Sequence, residues 1–254
     1  MTIAILFVTG LLAGIINALA SGGGLVSFPV LLMLGLSPIV ATATSFVATI
    51  LGHVSSAYGY RGLLLKLRPV YLLLLVPAVL GSALGANLLK HSPSAMFNKI
   101  VPFLVLSSIL IFILQPYLKK RIHLNIKAKR TKKIKPLIIL TIAVFVVTIY
   151  GGYFGIGTGY AILALLSFTG VKGFHTLNGM KNIGSLVVLG IAIFFLTSAD
   201  IIDWKSGIIL AIGSLIGGHL GATVAQKIPG KVIRFLTILI GLSTVVYLFI
   251  KYYS

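Results

Sequence analysis

The chain has 254 residues, 58% of them hydrophobic and only 9% charged, with no cysteine and a mean hydropathy of +1.13. No soluble fold hides that much apolar surface, and the missing thiols exclude disulfides, thiolate metal sites and cysteine nucleophiles. The net charge of +19 resembles that of a nucleic-acid binder, but its densest run lies between Lys119 and Lys135; flanked by apolar stretches, that run reads as a cytoplasmic loop beside lipid headgroups, with no nucleic acid implied.

The first apolar segment, residues 3–20, lacks the basic residues that open a signal peptide, although Ala18-Leu19-Ala20 would suit a peptidase, so it reads as mature protein. It ends at Ser21-Gly22-Gly23-Gly24. Segments 25–36, 39–60, 70–89 and 100–118 follow, punctuated by Pro38, Pro69 and Pro93, which start or end helices. After the basic loop come 137–154, 160–169, 174–197, 206–225 and 232–250. The first two of these are separated by Gly155-Ile156-Gly157-Thr158-Gly159, and Pro229 precedes the last. The expected fold is an all-α polytopic membrane protein. Residues 1–118 form a first repeat, 119–135 a cytoplasmic loop and 136–254 a second repeat, all within one integral domain.

The two groups of five segments form an internal repeat. Gly22, Gly24, Leu31 and Gly35 recur at constant spacing as Gly157, Gly159, Leu166 and Gly170. Gly81, Leu84, Gly85, Ala86 and Pro93 recur as Gly217, Leu220, Gly221, Ala222 and Pro229. Segment 25–36 would be about 18 Å long as a helix, too short for a core of about 30 Å. It is therefore either half of a broken span, which makes the repeats parallel, or the short arm of a hairpin, which inverts them. The hairpin leaves only Lys90, Lys99, Lys205 and Lys251 outside, with Lys181 inside a helix. That satisfies the positive-inside rule better than the broken span, so inverted repeats with both termini outside are expected.

A glycine break inside a membrane-length run survives only where it lines an enclosed cavity, and a matched pair points to a transporter's binding site. Helices starting after each break would turn free N–H groups and positive dipole ends toward an anion. The candidate site is Ser21, Gly22, Gly23 and Gly24 from the first break, facing Gly157, Thr158 and Gly159 from the second. Polar stripes follow each break: Thr42, Ser45, Thr49, His53 and Ser56, with Thr44 beside them, then His175, Asn178, Asn182 and Ser185. Serine and threonine in such helices mostly bond their own backbone. Lys181, beside the second stripe, is the basic residue well inside an apolar segment. It either snorkels to the inner surface or serves as a functional cation, and the second is favoured because a buried lysine costs several kcal/mol unless it faces a cavity.

The chain's two acids are Asp200 and Asp203, both at a segment edge. Carboxylate relays are therefore unavailable, and any proton coupling falls to His53, His175 or His219, or to the substrate's own protonation. His219, amid Gly217, Gly218 and Gly221, is equally suited to interhelical packing. The glycines spaced by four read as close-packing faces. With no glutamate, no Gly-x-Ser-x-Gly and no metal set, nothing points to an enzyme; no cofactor is expected, and oligomerisation is left open.

Gly14-Ile15-Ile16-Asn17-Ala18-Leu19-Ala20-Ser21-Gly22-Gly23-Gly24, then Phe28-Pro29, Gly35-Leu36-Ser37-Pro38 and Ala41-Thr42-Ala43-Thr44-Ser45, resemble the opening of the sulfite exporter TauE/SafE family. The likeness covers nearly the whole chain, including the repeat from near Gly151. It implies a multi-pass permease of the prokaryotic plasma membrane that exports sulfite, sulfonates or related small anions. The second break has fewer glycines than the first, and Lys181 is a departure from the expected pattern.

Overall fold

The computed structural model describes residues 2–20, 22–64, 73–125, 134–166, 169, 171, 174–223 and 230–253, and among these there is no strand. The helices are α1 Thr2–Ala20, α2 Gly24–Met33, α3 Pro38–Gly59, α4 Arg61–Leu64, α5 Leu75–His91, α6 Ser94–Asn125, α7 Ile134–Tyr153, α8 Thr158–Leu166, α9 Phe174–Thr197, α10 Trp204–Thr223 and α11 Gly230–Tyr253. Each of the ten expected segments holds one of these helices, and the short α4 is additional among the described residues.

Helix boundaries follow local chemistry. Pro38 opens α3 at its first turn, where its missing N–H is harmless. Asp203 caps α10: its Oδ1 accepts from the Ser206 amide at 3.3 Å and its Oδ2 from the Ser206 hydroxyl at 2.7 Å. Helix α6 overruns its apolar stretch at both ends and reaches 32 residues; at its C-terminal end the lysines and arginines of the basic run are good helix formers. Helices α2 and α8 have 10 and 9 residues, too few to cross a bilayer.

Four helical stretches within the described residues are long and apolar enough to cross a membrane: Pro38–Gly59, Ser94–Leu114, Thr176–Thr197 and Phe235–Tyr253. Burial ranks them. The apolar window of Pro38–Gly59 is 72% buried and that of Phe235–Tyr253 only 28%, so α3 is central while α11 turns Leu236, Leu239, Leu242 and Val246 outward.

The helices pair reciprocally between the two halves. Helix α1 packs along α10 and α7 along α5; α3 also packs on α10 and α9 on α5; α2 meets α11 and α8 meets α6. The glycines spaced by four make these approaches close. A side chain at Gly10 or Gly14 would overlap the carbonyls of Leu210 and Ser214, and one at Gly213 or Gly217 those of Phe7 and Leu11. On the other side, Gly81 and Gly85 press against the carbonyls of Phe145 and Ile149. Small residues that let helix backbones touch are how membrane helices associate without a hydrophobic drive.

Candidate functional site

At the first break the chain doubles back. A Cβ on Gly23 would collide with the carbonyl of Ala13, ten residues earlier, and with the Asn17 side chain, while one on Gly22 would meet the Phe112 ring. Asn17 holds the turn by accepting the Gly23 N–H on Oδ1 at 2.8 Å. The next amides are closed locally: Leu25 N–H donates to the Gly22 carbonyl and Val26 N–H to the Gly23 carbonyl, each at 3.0 Å.

The second break reverses direction too, since a side chain at Gly151 would meet Thr158. Here the backbone takes φ of +76° at Gly155 and +83° at Gly157, values that glycine alone adopts without strain. Two hydroxyls hold the turn by its carbonyl. Tyr150 OH and Ser108 Oγ each lie 2.9 Å from the Ile156 oxygen and 2.6 Å from each other. No described residue accepts from the Gly157 or Gly159 amides.

The two breaks meet. The Cβ position of Gly24 is 3.0 Å from Ile156 Cγ1, and the Phe28 and Phe154 rings stack edge to face at 5.7 Å between centroids. Between the breaks lies a cavity of about 30 Å³, walled by Asn17 and Gly24 on one side and by residues 155–159 on the other. Ser45, Thr49 and His53 of α3 and Ser185 of α9 complete the wall. That volume suits one or two waters, so the site is narrow in this conformation. Asn17 Nδ2, Thr158 Oγ1 and Ser185 Oγ belong to residues that border it, are buried, and have no hydrogen-bond partner among the described residues. Unsatisfied buried polar atoms are rare in native proteins and call for a ligand or water. Together with the α8 N-terminus they make a site rich in donors, with no carboxylate in its wall.

A buried polar column continues from the cavity along α3 and α9. His53 Nδ1 lies 3.2 Å from Asn182 Oδ1. With the amide in that orientation the imidazole donates from Nδ1. One residue before Asn182, Lys181 is only 1% exposed. Neither carboxylate serves it: Asp203 caps α10 and Asp200 is exposed beyond the end of α9. Farther along, Asn178 Nδ2 donates to Tyr60 OH at 3.1 Å.

A profile of the family described as Sulfite exporter TauE/SafE matches residues 6–248, from α1 into α11. The chain belongs to the sulfite exporter TauE/SafE family. Among its relatives, one from Haemophilus influenzae named "Probable membrane transporter protein" is 32% identical over 247 residues, 94% of this chain and 91% of the relative. "Probable membrane transporter protein ORF9" from a Sinorhizobium species is 28% identical, covering 95% of this chain and 90% of its own. "Probable membrane transporter protein YfcA" from Escherichia coli K12 is 29% identical, with 93% and 86% covered. No solved structure matches. The chain is thus a membrane transporter of the TauE/SafE family, and its several apolar helices make it multi-pass.

Within this TauE/SafE transporter the expected site residues fall into groups. Gly24, Gly157, Thr158, Gly159, Ser45 and His53 line the cavity. Gly22 and Gly23 sit behind it against Phe112 and Asn17. Thr44 faces elsewhere and accepts the Asp203 amide at 3.0 Å, steadying the start of α10. Asn178, Lys181 and Asn182 form the column, and Lys181 does not snorkel to the surface. His219 is exposed on α10. Ser21 and the His175 side chain lie outside the described residues. Thr42, Ser45 and Thr49 each donate to the carbonyl four residues back, at 2.8, 2.7 and 2.9 Å, the ordinary behaviour of hydroxyls in a membrane helix. Sequence reasoning did not single out Asn17 as part of the site. Its signal was a lone amide in an apolar segment six residues before the middle glycine.

Proposed function

We propose that the chain is a secondary carrier that exports a small oxyanion, sulfite or an organosulfonate, across the plasma membrane, and that its halves are inverted repeats hinged about the paired breaks. The observation that carries this is the gathering around one small cavity of donors with no partner among the described residues: Asn17 Nδ2, Thr158 Oγ1, Ser185 Oγ and the Gly157 and Gly159 amides. Three oxygens around one sulfur would accept from such a set without a cation in contact. Lys181, one helical turn before Ser185, supplies the net positive potential. The reversal of the chain at both breaks supports inversion, and the reciprocal pairing of α1 with α10 and of α7 with α5 supports two copies related by a two-fold axis. For an anion of this size to enter, the Gly24–Ile156 contact must part, and alternating access would open it toward one side at a time.

Flux of labelled sulfite in proteoliposomes tests the function. The wild-type chain is expected to carry it, and Lys181→Ala to lower the flux by about tenfold or more, since several kcal/mol attach to a charge at that depth. Binding has its own readout. Sulfite at 100 times its dissociation constant should stabilise the purified protein by about 2.7 kcal/mol. A melting temperature indifferent to sulfite and to methanesulfonate, with no flux of either, would remove the anion-carrier function.

A further inference from the structure

We infer that Lys181 is the proton carrier of this transporter: the site moves one monoanion together with one proton and returns empty and uncharged. This rests on the anion-carrier function proposed above and adds its coupling. Lys181 is 1% exposed, one helical turn before Ser185 of the cavity wall, and the chain has no carboxylate within the membrane to pair with it. A buried ammonium with no counter-ion is costly in a low-dielectric site. Two events relieve it. An oxyanion in the cavity supplies the counter-charge, or the ammonium gives its proton to water and stays as an amine. The loaded site then carries anion and ammonium, the empty site carries neither, and the difference per cycle is one anion and one proton in the same direction.

The surroundings leave few other carriers. Among the described residues of the elements packed on α9, His53 of α3 shares the site, borders the cavity, and lies within electrostatic reach of Lys181. It is hydrogen-bonded to Asn182, the chain neighbour of Lys181 on α9. Tyr60 of α3 is bonded to Asn178 at the column's far end. Arg61 of α4 is exposed over the Tyr58 ring. Lys90 and His91 of α5 lie at the opposite end of α9, where Lys90 bonds Ser198. On α7 and α8, Tyr150 holds the Ile156 carbonyl and Tyr160 packs on Phe112.

Methanesulfonate separates this proton from the substrate's own, because a sulfonate stays ionised at every pH the protein tolerates. Full-length protein in liposomes holding a pH-sensitive dye, with the membrane potential clamped, is given a methanesulfonate gradient. The expected result is one proton per anion, with a rate insensitive to the clamp. Lys181→Arg, which keeps its charge permanently, should retain exchange of labelled methanesulfonate but lose net flux and proton movement by about tenfold or more. Should the arginine not fit, Lys181→Gln serves, since it too has no proton to give. Anion flux that is driven by the potential and moves no protons overturns the coupling while leaving the carrier function standing. Wild-type proton stoichiometry in either variant overturns the role of Lys181. Absence of flux for both sulfite and methanesulfonate overturns the function on which the coupling rests.

Discussion

Two breaks meet at the cavity, and glycine serves each for a different reason. In the first, Gly23 has φ −58° and ψ −34°, an ordinary helical conformation; glycine is needed because the Ala13 carbonyl and Asn17 leave no room for a side chain. In the second, Gly155 and Gly157 are needed for the sign of φ. The supports differ as well. Asn17 takes up a backbone N–H of the first break, whereas Tyr150 and Ser108 take up a carbonyl of the second and leave amides open. Repeated sequence suggests two equivalent half-sites. The hydrogen bonds instead divide the labour, with the second break presenting the backbone donors and the first closing the cavity through Asn17 and Gly24.

Substitution at Gly155 should be the most damaging change in either break. Alanine would take a left-handed conformation at about 1–2 kcal/mol, and its Cβ would drive into the Phe46 ring, adding about 1–3 kcal/mol of overpacking. Against a stability of about 5–15 kcal/mol, Gly155→Ala should sharply lower the yield of folded protein and its melting temperature in detergent. Gly23→Ala meets no conformational penalty but the same crowding, so a smaller loss of about 2 kcal/mol is expected. If Gly23→Ala proved the more harmful of the two, the distinction between handedness and closeness would be wrong.

How much of this was legible follows from what each feature depends on. The ten segments and their punctuation by Pro38, Pro93 and the paired glycines reflect bilayer length and backbone chemistry, which are local. Helix α6 outruns its hydropathy because helix propensity outlasts apolarity in the basic run. The glycine breaks were readable for the same local reason, and so was the depth of Lys181. Which amides stay open was not, because that depends on tertiary partners: Asn17 closes the Gly23 N–H, and nothing described closes that of Gly157. Thr44 and Ser45 make the point at one residue's separation. Adjacent on α3, one braces the Asp203 amide and the other borders the cavity, and only the neighbours α10 and α8 decide which is which.

Asn17 offers a way to separate support from binding. Asn17→Ala loses the acceptor for the Gly23 N–H, and leaving that buried donor unmet should cost about 1–3 kcal/mol. Asn17→Asp keeps the acceptor but puts a negative charge in the cavity wall. It should melt closer to wild type than the alanine variant while losing anion stabilisation and sulfite flux, because like charge repels the ligand. Equal sulfite binding by wild type and Asn17→Asp would place the anion away from the first break.

The smallest expected effect probes the other support. The Ile156 carbonyl has two hydroxyls at 2.9 Å, so removing either leaves one hydrogen bond in place. Ser108→Ala should therefore cost about 1 kcal/mol, as should Tyr150→Phe, each the net worth of one hydrogen bond. The double variant strands the carbonyl in a buried site and should lose more than the two singles together, since the two hydroxyls also lie 2.6 Å apart and act as one unit. A strictly additive pair, read from thermal melts of all four proteins, would mean that a water or a shifted backbone already satisfies the carbonyl and that the second break is held by its glycine dihedrals alone.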